Sequence, residues 1–94
     1  MTYELVFHPN ALSEWNKLDK PIREQLKKKL GGRLENPRVE SARISGGSHL
    51  YKIKLRASGF RLVYQAQDQA ITVLVLSVGK RERNAAYNAA LVRL

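Results

Sequence analysis

The chain has 94 residues, 17 Lys and Arg against 8 Asp and Glu, a formal charge of +9 and no cysteine. That length supports one domain able to bury roughly 60% of its unfolded surface, and the missing thiol excludes a disulfide frame or a thiolate metal site. No run of 18 apolar residues occurs, and Met1 to Phe7 carries no charged n-region or cleavage site, so a cytoplasmic protein without a membrane span is the expectation.

Tyr3, Leu5 and Phe7 alternate with Thr2, Glu4 and Val6, which predicts a first strand stopped by His8-Pro9-Asn10. From Asn10 to Lys20, the apolar residues Ala11, Leu12, Trp15 and Leu18 fall at helical spacing. Pro21 suits the start of a second helix, with Asp19 available as its cap and Glu24 in its first turn. Ile22, Leu26, Leu30 and Leu34 give that helix one apolar stripe and leave Lys27, Lys28 and Lys29 facing water. Gly31-Gly32 costs about 1 kcal/mol per glycine relative to alanine, so the last turn is expected to be insecure before Asn36-Pro37 ends it.

A short strand around Arg43 to Ser45, a turn at Gly46-Gly47-Ser48 and a strand from Leu50 to Arg56 follow. Ala57-Ser58-Gly59 connects tightly to an antiparallel strand, Phe60 to Gln67. Asp68-Gln69 turns into Ala70 to Val78, which is apolar on both faces and therefore expected to be a central strand covered on both sides, ended by Gly79. An alanine-rich helix from about Glu82 to Val92 closes the chain. This order predicts a single α+β domain over residues 1–94. Its N-terminal strand and two-helix hairpin pack on an antiparallel sheet of about four strands, with a short C-terminal helix.

The charge is concentrated in the second half. From Ser41 onward the acids are Asp68 and Glu82, against nine cations. In Tyr51-Lys52-Ile53-Lys54-Leu55-Arg56 the two-residue strand period puts Lys52, Lys54 and Arg56 on one side, where like charges repel. A polyanion supplies the missing negative charge most naturally, and a phosphate backbone is the commonest one. His8 and His49 are far apart and fit no ligand spacing, the serines have no His/Asp partners, and the basic half has no paired carboxylates, so neither metal nor cofactor is expected.

An enzyme built on this half has to work with Lys, Arg and Tyr. One reaction suits that set: attack of an RNA 2′-hydroxyl on its adjacent phosphate, where the nucleophile is already in place and clustered cations stabilise the dianionic transition state. Lys52 and Lys54 lie roughly 7 Å apart on one strand face and repel by on the order of 2 kcal/mol at an effective dielectric near 20. Arginine, always charged, suits phosphate clamping. Tyr87 either offers a ring for base stacking, worth about 1–3 kcal/mol, or packs on the sheet as an ordinary helix residue. The Lys52/Lys54 face equally suits a surface that binds nucleic acid or an acidic partner without catalysis.

The blocks Glu14-Trp15 to Leu18, Arg23-Glu24-Gln25-Leu26-Lys27-Lys28-Lys29-Leu30, Tyr51 to Arg56, Gly59-Phe60-Arg61-Leu62-Val63-Tyr64-Gln65 and Ser77-Val78-Gly79-Lys80-Arg81-Glu82-Arg83 resemble the RelE family, the toxins of RelBE-type toxin–antitoxin pairs. The resemblance spans nearly the whole chain. It implies a ribosome-dependent mRNA interferase that cuts mRNA in the ribosomal A site without metal or cofactor, leaving a 2′,3′-cyclic phosphate and a 5′-hydroxyl. It further implies neutralisation by a RelB-like antitoxin, and autorepression of the operon, with operator DNA bound only through the antitoxin complex.

The family's catalytic set falls on Lys52, Lys54, Arg61, Arg81 and Tyr87. By that resemblance Lys52 and Lys54 form the base and charge cluster, Arg61 steadies the phosphate, Arg81 serves the leaving group and Tyr87 stacks on the substrate base. Arg43, Arg56, Lys80 and Arg83 are the expected further contacts to mRNA or ribosomal RNA. Two other readings use the same chain: a ParE-like poison of DNA gyrase, whose relatives generally lack the Lys/Arg/Tyr set, and a non-catalytic basic co-repressor.

Overall fold

The computed structural model describes residues 2–45, 49–80 and 85–94. The order is β1 (Glu4–Phe7), α1 (Pro9–Asn16), α2 (Lys20–Glu35), one 3-10 turn at Glu40–Ala42, β2 (Leu50–Lys54), β3 (Phe60–Gln67), β4 (Thr72–Lys80) and α3 (Ala85–Val92). His8 ends the first strand by capping the helix after it. Its Nδ1 accepts from the Asn10 N–H at 3.1 Å, and Pro9 fills the first helical position.

The strands form one sheet in the order β1-β4-β3-β2. β2, β3 and β4 are the expected antiparallel meander, whereas β1 pairs with β4 in parallel, from Glu4 with Thr72 to Phe7 with Val75. The sheet is therefore mixed. Everything from His8 to Ile71 lies between these two strands, and a connection of that length lets a strand return in the same direction.

Alternation divides the sheet into two faces. Tyr51, Ile53, Leu55, Leu62, Tyr64, Ala66, Val73 and Val75 point to α1 and α2, where Ala11, Leu26 and Leu30 meet them. Leu50, Val63 and Leu76 point the other way, to Ala86 and Ala90 of α3. β4 lies between β1 and β3 and is covered on both sides, as its unbroken apolar run predicts. A β-bulge between β3 and β4 moves the register from Val63/Ser77 to Tyr64/Val75, which leaves Leu76 as the extra residue. Leu76 and Ser77 then both serve the α3 side, Ser77 through its Oγ donating to the Ala86 carbonyl at 2.5 Å.

Tyr64 joins α2 to the sheet. Its hydroxyl donates to the Pro37 carbonyl at 2.6 Å and accepts from Arg33 at 3.0 Å, its ring stacks on Tyr51 with centroids 5.6 Å apart, and burial raises the phenol above its ordinary range. On the rim, Asp68 accepts from Arg38 and from the Tyr3 hydroxyl at 2.9 Å, and these bonds, Arg38 first, hold its carboxyl below the usual carboxylate range.

Several local expectations change: α1 ends at Asn16 rather than near Lys20, β2 ends at Lys54 rather than Arg56, and Glu24 falls beyond the first turn of α2, which starts at Lys20. Among the described residues, the segment around Arg43 to Ser45 makes a single bridge, Arg43 with Tyr51, beside the Ile44 N–H to Leu50 carbonyl bond, directly after the 3-10 turn. β4 starts two residues later and runs through Gly79, since the turn after Asp68 extends to Ile71, whose φ is 48°. Asp19 occupies the α2 cap position without a side-chain bond. α2 continues unbroken through Gly31-Gly32 to Glu35, held by packing of Leu30 and Leu34 rather than by propensity. The expected Gly46-Gly47-Ser48 turn and the start of the last helix at Glu82 lie outside the described residues.

A Cβ built at Gly32 meets nothing within 4 Å, and its φ is ordinary. Gly32→Ala is expected to stabilise the fold by about 0.5–1 kcal/mol, read as a higher urea midpoint with an unchanged slope. A lower midpoint would show that the second glycine does more than lower helix propensity.

Candidate active site

The α3 side of the sheet changes character along its strands. At one end Leu50, Val63 and Leu76 lie under α3. Two residues further along β2 come Lys52, opposite Val63, then Lys54, opposite Arg61, and Arg61 in turn faces Gly79 on β4. The two-residue period carries these side chains to the same face as the apolar cluster. The Lys54–Arg61–Gly79 row thus crosses three strands just beyond the part covered by α3. Gly79 adds no side chain, and a Cβ built there meets nothing within 4 Å among the described residues.

Tyr87 enters this row from α3. It is half-buried, packs against the Leu50–Val63–Leu76 cluster, and holds its ring under the Arg61 guanidinium, whose carbon is 5.1 Å from the ring centroid. That spacing is a cation–π contact. Its hydroxyl is buried and has no hydrogen-bond partner among the described residues. One part of this ring is therefore core, against the Leu50–Val63–Leu76 cluster, and another meets Arg61 in the row.

Two cavities adjoin the row. One of about 290 Å³ is lined by Lys54, Arg56, Gly59, Phe60 and Arg61 at the β2–β3 turn. Another of about 320 Å³ shares Lys54 and Arg56 and adds Lys52, Lys29 and Arg33. Lys29 and Arg33 were not legible as site residues, because helical spacing alone leaves them on a solvated face. Arg33 donates to the Lys52 carbonyl and to the Tyr64 hydroxyl, both at 3.0 Å, and so pins the edge strand that carries the two lysines.

The other expected residues separate. Arg56 follows β2 in the turn and remains exposed beside Lys54. Arg43 is exposed at the bridge to Tyr51, on the outer side of β2. Lys80 pairs with Phe60, with its ammonium 5.7 Å from that ring, on the face opposite Arg61. Arg81 and Arg83 lie outside the described residues.

α3 has eight residues and buries only Ala86 and Ala90, too little to hold an isolated helix of that length. A polar clamp supplies the rest. Beyond the last β1 pair, Phe7 with Val75, that edge of β4 has no strand beside it among the described residues, while β3 continues along the other. There the Val78 N–H donates to Glu14 at 3.1 Å, the Leu76 carbonyl accepts from Arg93 at 2.8 Å, and Arg93 grips both oxygens of Glu14 at 2.8 and 3.1 Å. Burial pushes the Glu14 carboxyl up, but the bonds from Arg93 and Val78 outweigh it and hold the group below its ordinary range. The clamp fixes the end of the helix that carries Tyr87.

A model of the family described as the ParE toxin of the type II toxin-antitoxin system, parDE, matches residues 5–85. The chain is 53% identical over 94 residues to the mRNA interferase toxin RelE of Escherichia coli (strain K12), covering 100% of this chain and 99% of that one. It superposes on the free-state structure of an E. coli RelE mutant (R81A/R83A) with a TM-score of 0.92 at 51% identity, over 100% of this chain and 99% of that one. On the toxin of the intact E. coli RelBE toxin-antitoxin complex the TM-score is 0.83 at 56% identity, over 86% of this chain and 99% of that one.

Because Glu14 is held below its unfolded value, its contribution is present above the ordinary glutamate range near 4.3 and is lost as pH falls through the lower folded value. Glu14→Gln is expected to speed amide exchange over residues 85–92 several-fold at neutral pH, with the difference from the parent closing as pH falls below the ordinary glutamate range. A difference that persists in acid would remove the carboxylate from the clamp. At the other end of the row, Gly79→Val is expected to leave the melting temperature within a few degrees and to cut ligand binding or turnover at this face at least about tenfold. Undiminished function would mean that nothing passes over Gly79.

Proposed function

This chain belongs to the RelE family of the RelE/ParE superfamily of type II toxin–antitoxin toxins, and from that premise we propose that it is an mRNA interferase acting in the ribosomal A site. The observation that carries this reading is the gathering of Lys52, Lys54 and Arg61 on one sheet face, with Arg61 stacked over Tyr87 at 5.1 Å. Those residues suit cleavage of an RNA linkage by its own 2′-hydroxyl. The O2′–P bond forms as the P–O5′ bond breaks, which leaves a 2′,3′-cyclic phosphate and a 5′-hydroxyl.

Each residue has a distinct part. Of Lys52 and Lys54, the one present as the neutral amine takes up the proton of the 2′-hydroxyl, and the other, as an ammonium, offsets the charge that builds on the phosphoryl oxygens. Arg61, permanently charged and braced by the Tyr87 ring, holds those oxygens in place. Tyr87 stacks on a base of the cut codon and so orients the linkage for in-line attack. Arg81 stabilises the departing 5′-oxygen by charge, since a guanidinium is a poor proton donor at neutral pH, and that oxygen takes its proton from water. Arg43, Arg56 and Arg83 add contacts to RNA around this centre, and Lys80, on the opposite face, meets RNA only where it runs beyond the site. In the cell a RelB-like antitoxin neutralises the protein, and the pair represses its own operon through operator DNA.

The family model's ParE description favours a second reading, a poison of DNA gyrase. Induction of the chain without an antitoxin separates the two: arrest of translation before any DNA damage fits the first reading, and DNA breakage with translation intact fits the second. Primer extension on ribosome-bound mRNA gives the direct test. Arg61→Ala is expected to slow cleavage about 10²–10³-fold and Tyr87→Ala about tenfold to a hundredfold, with the fold retained. Cleavage at the parent rate in either variant would remove that residue from the reaction.

A further inference from the structure

The cations do not stop at the catalytic face. β2 is an outer strand of the sheet, and around its edge Lys29 and Arg33 of α2 join Lys52, Lys54 and Arg56 in the cavity of about 320 Å³. Ser41 and Ala42 complete the lining, and no acidic residue contributes to it among the described residues. None of Lys29, Arg33, Lys52 or Arg56 is ion-paired among those residues either.

The arrangement costs the fold something. Lys29 and Arg33 stand at i and i+4 on one helix, where like charges are destabilising by a few tenths of a kcal/mol. Arg33 is further fixed by two neutral oxygens, the Lys52 carbonyl and the Tyr64 hydroxyl, which orient its guanidinium without neutralising it. A lone small anion offsets one or two of these charges. Five cations drawn from a helix, a strand and a turn match a polymer of phosphates better. The cavity also shares Lys54 and Arg56 with the one beside Arg61, so the two adjoin.

We propose that this cleft binds the phosphodiester backbone of an RNA segment that continues from the cut linkage around the β2 edge, with Lys29 and Arg33 as backbone-binding residues. The identity of the polymer as RNA rests on the ribonuclease reading. Message and ribosomal RNA offer the same phosphodiester chemistry, and the experiment has an arm for each.

Binding of a single-stranded 2′-O-methyl oligoribonucleotide, which lacks the attacking hydroxyl, and of vacant ribosomes is measured across salt concentrations. Three proteins are compared: the parent, Lys29→Ala/Arg56→Ala, and the equally charged control Lys17→Ala/Lys20→Ala. Lys20 stands nine residues from Lys29, about 13 Å along α2. On the oligonucleotide, the cleft variant is expected to lose about 1.4 from the slope of log affinity against log salt and to bind roughly tenfold more weakly, with the control near the parent. Loss on the oligonucleotide assigns the cleft to the message, and loss on ribosomes alone assigns it to ribosomal RNA. Identical slopes and affinities for all three proteins on both ligands overturn the proposal, and so does an equal loss in the control. Cleavage is scored separately: a chain that never cuts RNA yet shows the slope change keeps the cleft and loses the ribonuclease reading.

Discussion

Two cations face each other across neighbouring strands, Lys54 on β2 and Arg61 on β3, and the rest of the molecule is arranged to keep them there. Directly opposed like charges weaken a strand pair by several tenths of a kcal/mol. The opposite face of the same two strands offsets that cost with Tyr51, Ile53, Leu62 and Tyr64, all buried against the helix pair. Because a strand shows its two faces alternately, the apolar residues that anchor β2 and β3 also hold Lys52, Lys54 and Arg61 outward on a rigid support. Charge that opposes folding is thereby placed where a phosphate would need it.

The second face is covered unequally. Among the described residues, α3 packs on Leu50, Val63 and Leu76 and reaches the Lys54–Arg61–Gly79 row through Tyr87, against Arg61. A longer helix with larger apolar residues would dock more firmly and would cover that row. The alanine-rich helix has a weak apolar grip, which is supplemented by Glu14 and Arg93, and these also satisfy the backbone of β4 where β1 has ended. The position of Tyr87 over Arg61 therefore depends on a carboxylate near the other end of the sequence. The β4 bulge contributes as well, since it gives α3 both Leu76 and Ser77 and brings Gly79 opposite Arg61.

Much of this was legible in the residues alone. The apolar stripe Ile22, Leu26, Leu30 and Leu34 marked α2, and the tight connection before Gly59 marked the β2–β3 hairpin, because helix and hairpin signals are local. The alternation in Tyr51 to Leu55 put Lys52 and Lys54 on one side for the same reason. Propensity misled at Gly31-Gly32, where packing of Leu30 and Leu34 carries the helix onward, and at Arg43 to Ser45, where strand-like residues find one bridge among the described residues. The parallel pairing of β1 had no local signal, since alternation reads the same in either direction.

Sequence by itself determined which residues are apolar, which carry charge and how often each recurs, and from this came the element order, the two-faced sheet and the cationic face of β2. Those properties follow from side-chain chemistry and a fixed strand or helix period, and neither needs a partner. Only the tertiary structure decided that Arg61 lies over Tyr87, that Glu14 clamps Arg93, and that Lys29 and Arg33 close around the edge of β2. Each is a meeting of segments separated by 19 residues or more, set by how layers stack and registers shift, and no local pattern records it.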